Sequence, residues 1–98
     1  MPLMIPRIEI ARVEGGDLDY RVTFEAEPLF DDTGFSSVMT ALVAAVEGLS
    51  PEVVAVEVAF EGIVSGTYPL QVLAMNPQQI ADHAVNTTAS VYEASESA

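Results

Sequence analysis

The sequence predicts an α+β domain: a four-stranded, mostly antiparallel sheet with two helices on one face, in the order β-β-α-β-β-α. Three observations carry this expectation. Residues 18 to 26 alternate, with Leu18, Tyr20, Val22, Phe24 and Ala26 on one side and Asp19, Arg21, Thr23 and Glu25 on the other. The stretch VVAVEVAFEG alternates again, with Val54, Val56, Val58 and Phe60 inward and Ala55, Glu57, Ala59 and Glu61 outward. Period two marks half-buried strands. Between and after these rows, two segments repeat their apolar residues at the helical period.

The first strand is short. Ile8 and Ile10 form an apolar row, with Arg7 and Glu9 on the other side. Gly15-Gly16 marks a hairpin into residues 18 to 26. A two-residue loop would set Glu9 opposite Val22 and mix the faces. A three-residue loop, Gly15-Gly16-Asp17, sets Ile10 opposite Val22 and Ile8 opposite Phe24, which keeps one face apolar. It also sets Arg7 opposite Glu25 and Glu9 diagonal to Arg21. Arg7 and Arg21 are then expected to partner glutamates of their own sheet, each such pair contributing ~0.2–1 kcal/mol.

The stretch DDTGFSSVMTALVAAVEG reads as the first helix, with Phe35, Val38, Met39, Leu42, Val43 and Val46 as its stripe. Asp31, Asp32 or Thr33 is expected to cap its start, and Gly48 to close its end. A fourth strand is expected near residues 67 to 74, with Pro69 at an edge or at its start. The second helix opens at Asn76-Pro77, because proline suits the first helical position. Its stripe is Ile80, Ala84 and Val91, flanked by Ala81, Val85, Thr88 and Tyr92. Residues 1 to 98 are read as one domain, with 1 to 5 a possible flexible arm and 94 to 98 a frayed tail.

Composition bounds the partners. The chain has 98 residues, three arginines, no lysine, fifteen carboxylates and a formal charge of −12. No arginine follows Arg21. Binding to phosphate backbones needs basic side chains that release counterions, so nucleic acid is not expected as a partner. Anionic membranes are excluded on the same ground, and no apolar run is long enough to span a bilayer. A basic protein surface suits the field. The chain has no cysteine, which excludes disulfides, thiolate nucleophiles and cysteine-based zinc sites. With MPLMIP lacking the features of a signal peptide, a cytoplasmic location is expected.

Two surfaces are candidate sites. Glu9, Glu25, Glu27, Glu57 and Glu61 are expected together on the outer sheet face, as a docking surface for a basic partner. Ser37, Thr40, Ala41, Ala44 and Ala45 form a nearly uncharged back to the first helix. That back is either an interface with a second copy, making a homodimer, or is covered by the C-terminal helix of the same chain. No catalytic, cofactor-binding or metal-binding residues are assigned. Asp31-Asp32 is explained by capping, and His83 has no nucleophile motif beside it. The expected function is a small acidic protein-binding module: a regulator, inhibitor, adapter or assembly chaperone. The alternatives are a cofactor-free enzyme or ligand-binding protein, with a pocket lined by Tyr20, Phe24, Phe60 and Tyr68, or a structural subunit of a phage-like assembly. A high-salt habitat is a further explanation of the acidity.

Overall fold

A computed structural model describes residues 4–97, the side chain of Ser97 excepted. Five strands and three helices follow in the order β1 (Arg7–Arg12), β2 (Leu18–Phe24), β3 (Glu27–Phe35), α1 (Val38–Glu47), β4 (Ala55–Phe60), β5 (Ile63–Pro69), α2 (Leu70–Met75) and α3 (Pro77–Ser97). The sheet order is β3-β2-β1-β4-β5. β1 and β4 pair in parallel and the other neighbours antiparallel. The fold is therefore α+β with an antiparallel-rich sheet, and it holds one strand and one helix more than the sequence predicts. Residues 1 to 3 of the expected arm and residue 98 of the expected tail lie outside the described residues. Helix α3 runs through Ser97.

The apolar rows lie where period two puts them. Across the inner face, one row runs Phe30, Val22, Ile8, Val58 and Gly66, each beside the next in register. The next runs Tyr20, Ile10, Phe60 and Ile63. Ile8, Val22, Val56 and Val58 are fully buried. Burying one such side chain stabilises the fold by about 1.5–3 kcal/mol. Val54 departs from its expected row: it precedes β4 and is half exposed.

The register of β1 and β2 differs from expectation by two residues. Ile8 pairs with Val22, Ile10 with Tyr20 and Arg7 with Thr23. The loop has the expected three residues but comprises Glu14, Gly15 and Gly16, closed by the Val13 amide donating to the Asp17 carbonyl at 2.9 Å. Both glycines have positive φ, +96° and +91°, so both belong inside the turn. Moving the loop by one residue moves the pairing by two, which preserves the faces.

Strand β3 is the main departure. Residues 25 and 26 form a tight turn, so the chain pairs again at Phe24 and Glu27 and continues to Phe35. Asp31 and Asp32 are strand residues here, not helix caps. Helix α1 starts later, under a capping box: the Ser37 hydroxyl accepts from the Thr40 amide at 3.1 Å, and the Thr40 hydroxyl accepts from the Ser37 amide at 3.2 Å. Downstream, the extended segment is Ile63–Pro69, and the expected strand residues 70 to 74 are helical in α2.

All three helices lie on one side. α1 packs on β1, β2 and β3, and α3 packs on β4, β5 and α1. Ala41 and Ala45 of α1 and Ala81 and Ala84 of α3 are buried. Small side chains let two helix backbones approach closely. Gly48, just past α1, faces the Phe30 ring so closely that a Cβ would stand 2.8 Å from its Cε2. Among the described residues, no helix lies on the opposite face of the sheet.

Candidate functional site

The uncovered sheet face is built from the polar rows of the same strands. One row crosses Asp31, Arg21, Glu9, Ala59 and Val64. The next crosses Thr23, Arg7, Glu57 and Thr67. Asp19, between Ala11 and Thr33 in register, adds a third carboxylate near Arg21. Directly opposed side chains on one face stand about 4.5–5.5 Å apart at Cβ. A hollow of about 530 Å³ lies here, lined by Glu9, Asp19, Arg21, Asp31, Thr33 and Gly62 among others. A second hollow of about 480 Å³ adjoins it and is lined by Arg7, Glu9, Arg21, Glu25 and Glu57.

The arginines differ in their use. Arg7 bonds Glu57 through Nε at 2.5 Å and reaches Glu9 at 3.8 Å. It serves its own sheet, as expected, although its main partner comes from β4 and not from the hairpin. Arg21 forms no ion pair within 4.0 Å among the described residues, although Glu9 and Asp31 flank it in register. Arg12 lies 5.8 Å over the Phe60 ring.

The five glutamates of the expected docking surface do not stand together. Glu9 and Glu57 lie on the uncovered face. Glu25 sits in the β2–β3 turn at one end of the sheet, where it still lines the second hollow with Glu9 and Glu57, and Glu61 sits in the β4–β5 turn at the other. Glu27 opens the edge strand β3. Two hairpin turns that the alternating pattern runs straight through account for this. In exchange, Asp19 and Asp31 join the face. Sequence reasoning missed Asp31 because it missed β3.

The expected helix interface is also corrected. Ala41 and Ala45 are fully buried within the chain, Ala44 is half-buried against the core, and the Ser37 and Thr40 hydroxyls are engaged in the cap. The C-terminal helix of the same chain covers this side of α1. Among the described residues, the alanines of this stripe are thus taken up within the chain, and of the five only Thr40 stays exposed.

Other residues give little chemistry. Tyr20 is buried, with its ring edge-on to Phe30 and tilted against Phe35. Burial, then the carboxylates of Asp32 and Asp31, push its hydroxyl above the usual tyrosine range. That moves Tyr20 away from acid–base work near neutrality. Asp82 accepts from Gln78 Nε2 at 2.8 Å, and His83 Nε2 lies 3.5 Å from the Thr87 hydroxyl, so Asp82 does not orient the histidine. The space between sheet and helices is filled by Ile8, Ile10, Leu42, Val56, Leu73 and their neighbours, where the enzyme alternative places its pocket. Among the described residues, no group of three or more acidic or histidine side chains is placed to hold a metal ion, and no helix is long and apolar enough to cross a membrane. No protein-family model, curated protein or solved structure matches the chain.

Proposed function

We propose that the chain is a non-catalytic protein-binding module that captures a cationic segment of a partner protein on the uncovered face of its sheet. In this reading it works in the cytoplasm as a homodimer, and serves as a regulator, inhibitor, adapter or assembly chaperone. One observation carries the proposal. Glu9, Asp19, Asp31 and Glu57 converge on a concave face without a helix over it, on a chain of charge −12. Arg7 offsets part of this charge by pairing with Glu9 and Glu57. Arg21, flanked by Glu9 and Asp31 in register but in no ion pair within 4.0 Å among the described residues, offsets part of the rest. Asp19 and Asp31 thus carry the net negative charge that remains to attract a cation. The acidic surroundings steer a basic partner toward the hollow and repel acidic ones.

A lysine-rich peptide, with a glutamate-rich peptide of equal length as control, tests this reading by amide chemical-shift mapping. The lysine-rich peptide should shift amides of β1, β2 and β3. The shifts should fade with added salt and with the double variant Asp19→Asn, Asp31→Asn. Replacing Glu61 by Gln, which lines neither hollow, should leave them nearly unchanged. Shifts that ignore the aspartate pair, or that spread evenly over both turns and α3, would refute capture by this face.

A further inference from the structure

We infer that two copies of the chain join through the outer edge of β5, strand against antiparallel strand, so that their sheets become one. This location rests on the homodimer reading above and replaces the helix surface that the fold buries.

The two edges of the sheet are built differently. β3 is guarded in several of the ways an edge strand commonly is. It carries Glu27, Asp31 and Asp32, contains Pro28, and shifts register twice against β2. One of its amides, that of Thr33, is already bonded to the Asp32 carboxylate at 2.8 Å. β5, with the sequence IVSGTYP, has no charged residue. It shifts register once, where the Ser65 hydroxyl donates inward to the Val58 carbonyl at 3.3 Å. Among the described residues, the backbone of 63 to 68 makes no hydrogen bond outside its ladder with β4. Its outer amides and carbonyls are left to water or to another strand.

Charge selects the occupant. From Gly62 to Ala81 the sequence contains no Asp, Glu, Lys, Arg or His, in a chain where fifteen carboxylates are spread over the rest. It is the longest stretch of the chain without a charged side chain, so a copy pairing along it sets no carboxylate of that stretch against another. The neutral stretch is where two molecules of charge −12 can come within strand spacing, and a cationic partner finds nothing there to pair with. The surface is also apolar: Val64 is 43% exposed, and on α2, which follows β5 directly, Val72 is 42% and Met75 80% exposed. A two-fold pairing of β5 with itself consumes both open edges and leaves the guarded β3 edges outward, so assembly stops at two.

Sedimentation of the full chain in low salt and in molar salt tests the inference. The expected result is a dimer that tightens as salt screens the repulsion between copies, opposite to capture of a cationic peptide. The double variant Val64→Glu, Thr67→Glu should be a monomer with an unchanged circular dichroism spectrum. Met75→Glu, at a position the fold does not bury, should weaken the dimer by about tenfold. A wild-type chain that stays monomeric at high concentration and high salt overturns the homodimer reading itself. A dimer indifferent to Met75→Glu, and to the double variant where that variant folds, overturns the β5 contact and leaves the homodimer standing. Growth beyond two copies overturns the closed pair.

Discussion

The β2–β3 and β4–β5 hairpins turn through the same backbone geometry with different sequences. Glu25 and Ala26 have φ of 52° and 70°, and Glu61 and Gly62 have 52° and 83°. Both are two-residue turns whose left-handed residues suit the twist of the flanking strands. The second announces itself, because glycine occupies left-handed backbone at no steric cost. It is also held from outside. The Arg12 amide donates to the Glu61 carboxylate at 2.8 Å, the Tyr92 hydroxyl to the Glu61 carbonyl at 2.9 Å, and the buried Thr88 hydroxyl to the Phe60 carbonyl at 3.1 Å. The first has no glycine, and among the described residues no hydrogen bond from a neighbouring element reaches it. What fixes it is the pairing on either side: Phe24 with Glu27, Thr23 with Pro28, and Val22 with Phe30, whose ring returns to the core beside Tyr20. One turn is specified locally and clamped by α3. The other is imposed by the strands it joins.

The comparison breaks most severely at Gly62. A β-branched side chain at φ +83° meets the left-handed penalty in full, so Gly62→Val should destabilise the fold by about 2 kcal/mol in urea unfolding. Space is not the cause, because a Cβ at Gly62 has no heavy atom within 4 Å. A smaller loss is expected from the clamp. Thr88→Val keeps the shape and removes one buried hydrogen bond, for a cost of about 1 kcal/mol. If the clamp is real, amide exchange should quicken at Phe60 and Ile63 and stay unchanged at Phe24 and Glu27. Equal quickening in both hairpins would mean that α3 stabilises the whole sheet and not this turn.

The same contrast explains how much of the molecule was legible in its sequence. Ile8, Ile10, Leu18, Tyr20, Val22, Val56, Val58 and Phe60 are buried as their period implies, because a half-buried strand must alternate. Strand β3 had no such signal. It lies at an edge, nearly all of its residues are exposed, and its two bulges break any alternation. Without β3, Asp31 and Asp32 fitted a helix start, since carboxylates suit both places. The candidate site inherited that error: Glu9 and Glu57 were legible and Asp31 was not, Glu25 reaches the second hollow only from a turn the pattern does not show, and Glu61 lies in a turn that lines neither hollow. The alanines of α1 were ambiguous for another reason. Their neighbour is α3, which arrives from the far end of the sequence, and nothing within α1 records that arrival.

The smallest expected effect is the most discriminating, because it has the opposite sign. Ala26 holds φ +70° without the freedom of glycine, a conformation that costs an L-residue about 1 kcal/mol or more. Ala26→Gly removes that strain and adds back some chain entropy in the unfolded state, for a net stabilisation of about 0.5 kcal/mol. Combining it with Glu25→Asn gives the dipeptide that this turn type favours and should raise stability slightly further. Both positions are exposed and neither lies on the inner face, so packing does not enter the balance. A gain in the urea midpoint with an unchanged slope marks a change in stability alone. A loss at Ala26→Gly would mean that the left-handed turn is not what joins β2 to β3, and the distinction between a locally specified and an imposed hairpin would fall with it.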